Sequence, residues 1–97
     1  MATSEARVAT ASARRYLGQL CKHFQHRLPV TLEETTGGIA FPMGRCDVAA
    51  EDRTLVLRAS ATTAEDLAKL EDVVARHLVR FAFREELAID WARAPAA

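Results

Sequence analysis

Apolar residues recur along this chain at two different spacings, and the points where one spacing gives way to the other divide it into elements. From Ser4 to Thr10, Ala6 and Val8 alternate with Glu5 and Arg7, which predicts a short strand. Thr10 or Ser12 then supplies a cap for a helix running to about Arg27. Along it Ala13, Tyr16, Leu17, Leu20, Phe24 and Leu28 form one stripe, with Cys21 at one edge and His23 at the other. Pro29, which has no N–H to give and whose ring crowds the preceding turn, ends it.

Period-two alternation returns next. Val30 to Thr35 carries Val30 and Leu32 inward; Gly37-Gly38 reads as a turn; Ile39 and Phe41 point inward from the following strand. Pro42-Met43-Gly44 turns the chain again. Arg45 to Ala50 then places Cys46, Val48 and Ala50 inward, Glu51-Asp52-Arg53 forms a hairpin loop, and Leu55, Leu57 and Ala59 line the last strand of this meander. Thr62-Thr63-Ala64-Glu65 has capping-box spacing, with Thr62 as the cap. The second helix runs to about Phe83 on a stripe of Leu67, Leu70, Val73, Val74, His77, Leu78 and Phe81. After Arg84-Glu85-Glu86 a final strand shows Leu87, Ile89 and Trp91 inward, and a small-residue tail begins near Ala92.

The predicted order is β-α-β-β-β-β-α-β. Both helices must bury a stripe and every strand has one apolar face. One mostly antiparallel sheet with both helices packed on one face, an α+β fold, satisfies all of them. The other face reads Thr31, Glu33, Arg45, Asp47, Thr54, Val56, Arg58, Ala88 and Asp90, largely polar and therefore solvated. Val56 and its small neighbours make that face a candidate for contact between two copies, so both a monomer and a homodimer are compatible with the pattern.

Composition narrows the classes. Ninety-seven residues with 49% apolar and 27% charged side chains make one ordinary globular domain. Thirteen basic and thirteen acidic residues cancel, which removes a general attraction to nucleic acid or to an anionic membrane. No apolar run approaches the ~20 residues of a membrane span. The first residues are Ala/Ser-rich but lack a signal core, and Glu5 with the early strand pattern argues against a transit peptide. A cytoplasmic protein with reduced Cys21 and Cys46 is the expectation.

Candidate chemistry is sparse. Cys21, Cys46 and His77 project toward the core from three elements, and His23 and His26 lie three apart on one side of the first helix. Thiolate and imidazole are the donors zinc, iron and copper prefer, yet no C-x-x-C pair exists. The plainer reading is a pair of small buried thiols, a core histidine bonded to a carbonyl or carboxylate, and two solvent-facing histidines. A cysteine nucleophile needs exposure and a low pKa, and inward-facing thiols have neither. Arg76, Arg80 and Arg84 recur every four residues as a basic row, an anion-binding candidate whose commoner meaning is a solvated face.

One resemblance covers nearly the whole chain. Arg15 to His26 (RYLGQLCKHFQH), Gly38-Ile39-Ala40-Phe41, Cys46, His77 to Leu87 (HLVRFAFREEL) and Trp91 resemble the bacterial domain of unknown function 2218. The match includes Cys21, His23, His26, Cys46 and His77. Phe24 stands where relatives often carry Trp. The resemblance implies a small bacterial cytoplasmic domain with no assigned activity and no catalytic residue to transfer. It also favours an accessory role in iron, siderophore or haem handling. The reading that results is a non-enzymatic module binding a small ligand or a protein partner of unknown identity, with no cofactor assigned. Its site lies near His77, Cys21 and Cys46, with His23 and His26 at the rim. The alternatives are a metal- or haem-binding accessory protein and a structural module using the open sheet face.

Overall fold

Strand Thr54–Ala61 carries the logic of the sheet: Leu55, Leu57 and Ala59 are buried on one face, and Val56 is buried on the other. The computed structural model describes residues 1–94. Its elements are β1 (Ala2–Ala9), α1 (Ala13–Phe24), β2 (Val30–Leu32), β3 (Thr36–Phe41), β4 (Gly44–Glu51), β5 (Thr54–Ala61), α2 (Ala64–Phe81) and β6 (Ala92–Arg93). The six strands form one sheet in the order β2-β3-β4-β5-β1-β6, and each neighbouring pair is antiparallel. The predicted element order and the α+β architecture are both present.

Both helices lie on one face. Tyr16, Leu17 and Leu20 of α1 and Leu67, Leu70, Val74 and Leu78 of α2 join Val8, Ile39, Val48, Leu55 and Leu57 in a single core cluster. Burying a leucine side chain fully is worth about 1.5–3 kcal/mol, so these stripes hold the layers together. The opposite face is polar, as predicted, and its charges are paired. Arg58 Nε donates to Glu5 across the β1–β5 ladder at 2.8 Å, Arg7 reaches Glu51 at 2.8 Å, and Arg45 pairs with Asp47 at 2.9 Å.

Four local readings need correction. Gly37-Gly38 is not a turn; both glycines are inside β3, and the turn falls at Glu33–Thr35, closed by a bond from Glu33 N–H to the Thr36 carbonyl. The reason is contact with α1. A Cβ at Gly37 would stand 2.6 Å from Cys21 Sγ and 3.0 Å from Leu17 Cδ1, so only glycine lets the helix sit this close to the strand. The first helix stops at Phe24, before Arg27, and its start is held by Thr10, whose hydroxyl accepts from the Ser12 N–H at 3.0 Å. In the second helix the cap is Thr63, not Thr62: its hydroxyl accepts from the Asp66 N–H at 3.1 Å, and the helix ends at Phe81.

The fourth correction concerns the C-terminal segment. Leu87, Ile89 and Trp91 do pack against the core, but the stretch forms no ladder; pairing is limited to Ala92 and Arg93, opposite Glu5 and Ser4. The tail expected from Ala92 therefore begins as a strand, and residues 95–97 lie outside the described ones. Two polar anchors hold this segment. Arg93 forks onto the buried Glu71 carboxylate, Nη2 to Oε1 at 2.9 Å and Nε to Oε2 at 3.4 Å. Burial works to raise the Glu71 pKa, but the Arg93 guanidinium prevails and holds it below the usual value. Just after α2, Glu85 accepts hydrogen bonds from the Tyr16 and Thr10 hydroxyls, which ties the end of α2 to the start of α1.

Candidate functional site

The structure sorts the sequence-selected residues into two groups. Cys21 and Cys46 are fully buried in the core. Each thiol lies near a backbone carbonyl, Cys21 Sγ 4.0 Å from Thr31 O and Cys46 Sγ 3.9 Å from Asp47 O. Burial raises the Cys21 pKa, and burial followed by the Asp47 carboxylate pushes Cys46 up to about 12. A thiol in that range stays protonated at neutral pH and is a poor nucleophile. Among the described residues no set of three or more His, Cys, Asp or Glu is placed to hold a metal ion. The expected convergence of both thiols on His77 is absent.

The histidines do converge. His23 lies in the last turn of α1, His26 follows in the turn that leads to Pro29, and His77 faces them from α2. The His23 and His77 ring centroids are 5.0 Å apart. Phe24 continues the row, 4.8 Å from His77 and 5.0 Å from Phe41 of β3, while Phe81 lies 5.5 Å from His23. The result is an aromatic column running from the sheet to the surface along the seam between the helices. His77 Nδ1 is 2.7 Å from the Val73 carbonyl. A carbonyl only accepts, so the proton is on Nδ1 and, in the neutral ring, Nε2 carries the free lone pair.

These rings open onto a surface pocket of about 590 Å³. His23, Phe24, His26, Arg27 and Leu28 line it from the end of α1 and the turn beyond; His77 and Arg80 line it from α2. No carboxylate is among them. Among the described residues neither Arg27 nor Arg80 makes an ion pair within 4 Å. The field is therefore positive. Burial, and then His77, Arg80, His26 and Arg27, hold the His23 pKa below its ordinary 6.5.

Residues 5–92 match the family model described as an uncharacterized protein conserved in bacteria, domain of unknown function 2218. The chain belongs to that family. The resemblance expected from the helix-one and HLVRFAFREEL blocks thus extends over the whole fold. The NMR structure of PA4090 from Pseudomonas aeruginosa is 36% identical, with a TM-score of 0.81, over 95% of this chain and 96% of that one. No curated protein matches the chain.

In this member of the 2218 family the basic row of α2 does not act as a row. Arg76 is paired with Asp72 at 2.8 Å, Arg80 lines the histidine pocket, and Arg84 lies beyond the helix end with its guanidinium 5.4 Å from the Phe83 ring centre. Two other depressions carry mixed charge. One of about 640 Å³ lies between the start of α1 and the β4–β5 hairpin, with Arg14, Arg15, Glu51, Asp52 and Arg53 on its walls. One of about 220 Å³ on the open sheet face is walled by the paired Arg45, Asp47 and Arg58. The histidine pocket alone among these three combines an apolar floor with charge of one sign. Sequence reading placed Phe24 on the apolar stripe and Arg27 at the end of the first helix. The signal for both was the run HFQHRLP, in which three basic or imidazole residues, His23, His26 and Arg27, crowd where the helix has to stop.

Proposed function

We propose that this protein is a non-enzymatic binding module that holds a small ligand in the pocket between the end of α1 and α2. The observation that carries this reading is the lining itself. Three imidazoles and two guanidinium groups without carboxylate partners surround Phe24 and Leu28 in an open concavity. Both thiols, the strongest nucleophiles of the chain, are shut in the core with raised pKa values, which supports binding rather than covalent chemistry. Two unpaired cysteines suit a reducing compartment, and we place the protein in the cytoplasm.

The test is protein-observed NMR with a mixed library of neutral, cationic and anionic fragments. Fragments that shift His23, His77 and Arg80 signals without shifting the outer sheet face are the expected result. A library that moves no pocket signal refutes the proposal.

The fixed tautomer of His77 favours a second reading on the same pocket, an accessory role in iron or haem handling. A ring whose Nδ1–H is held by a carbonyl presents a basic Nε2 to a metal. Titration with haem, followed by absorbance, separates the two readings: a Soret shift lost in His77→Gln supports it, and an unchanged spectrum removes it.

A further inference from the structure

The pocket makes two demands of an occupant. Its partly buried apolar lining, Phe24 and Leu28, gains from being covered by a flat apolar group; inorganic anions leave it wet. Its walls hold two guanidinium forks, Arg27 and Arg80, which suit the planar, two-oxygen shape of a carboxylate. The rings of His23, Phe24 and His77 are inclined to one another by 46° to 84° and so offer both faces and edges to an aromatic guest. Every titratable or charged group that faces His23 is cationic or becomes so on protonation: His26 and Arg27 after its own helix, His77 and Arg80 from α2. An imidazole in such company sheds its proton readily, and a negative charge placed beside it returns the proton.

We propose that the pocket takes a planar aromatic carboxylate and that one proton, drawn from solvent, moves onto His23 as the carboxylate binds. This rests on the binding-module reading above. The direct consequence is affinity that strengthens with acidity, by about tenfold per pH unit at most for one linked proton, while the free imidazole is neutral. A cell that acidifies or accumulates such an acid would load the site; neutralisation would empty it.

The probe is naphthalene-2-carboxylate, compared with naphthalene-2-carboxamide and inorganic phosphate. Calorimetry in two buffers of different ionisation heat counts the protons, and NMR of the imidazole nitrogens shows where they go. The carboxylate is expected to bind, to take up a proton, and to bind more tightly near pH 6 than near pH 8, two values that bracket the ordinary imidazole pKa of about 6.5. Arg80→Gln, at an exposed position, weakens it about tenfold or more, as expected for loss of a charged hydrogen bond. His23→Gln keeps binding but loses most of the proton uptake. Equal binding by the amide or by phosphate overturns the proposal, and so does carboxylate binding with no buffer dependence. If none of the three probes shifts the pocket but other library fragments do, the ligand class is wrong and the binding module stands. If nothing shifts it, both fall.

Discussion

A methyl group added at Gly37 has nowhere to go. Its carbon would stand 2.6 Å from Cys21 Sγ, 3.0 Å from Leu17 Cδ1 and 3.1 Å from the Thr31 carbonyl oxygen. Both side chains are buried at 0–1% exposure, so neither has free space to swing into. Overpacking of this kind costs about 1–3 kcal/mol, against about 0.5–1 kcal/mol returned by stiffening the unfolded chain, for a net loss of about 1–2 kcal/mol in Gly37→Ala. Cys21→Ala removes the nearest obstacle at roughly 1 kcal/mol for the small void it leaves. The double variant should then be more stable than the sum of the singles by about 1 kcal/mol, because the two sites share one contact. Gly18→Ala is the control: nothing lies within 4 Å of its Cβ position, and a helix interior gains about 0.5–1 kcal/mol from the change. Urea unfolding followed by the single tryptophan, Trp91, which packs against the core, measures all four proteins. A Gly37→Ala protein as stable as the wild type, or strictly additive effects, would refute the close-approach account of this glycine.

Tyr16→Phe removes the donor to Glu85 while keeping the ring, and should cost about 1–2 kcal/mol in the same unfolding assay; Glu85→Gln in that background should then add little. His23 has a folded pKa below its unfolded one, so the unfolded chain binds the proton first. Stability should therefore fall as pH drops below the ordinary imidazole value of 6.5 and level off beneath the folded value, and His23→Gln should flatten that slope. Iodoacetamide at neutral pH should leave Cys46 and Cys21 unmodified until denaturant is added; rapid native labelling by mass spectrometry would contradict their burial.

Where the sequence was readable, one physical signal dominated its neighbours. Arg45 to Ala50 alternates cleanly because one face meets the core and the other meets water, and β4 follows that pattern. Alternation reports burial, however, and not pairing: Leu87, Ile89 and Trp91 face the core without a neighbouring strand to complete a ladder. Thr62 and Thr63 both stand three residues before an acid, so spacing alone left the cap ambiguous by one position. Gly37-Gly38 carries the commonest turn signal, but glycine serves close packing equally well, and only the position of α1 tells the two uses apart. The site failed to resolve for an angular reason. Cys21 and His23 are two residues apart on a helix, so they point in nearly opposite directions, one at the sheet and the other along the seam beside α2. Grouping Cys21 and Cys46 with His77 in one site, with His23 at its rim, merged two environments that the fold keeps separate.

The outermost strands of the sheet are stubs, three residues in β2 and two in β6. A second polypeptide that tried to extend the ladder would find almost no free N–H and C=O groups in register on either strand, and Glu33 and Glu34 follow directly after β2. Fibre-like growth through strand addition is thereby discouraged by length as well as by charge. These two strands thus leave side chains, rather than backbone groups, as the material from which a contact on them could be built.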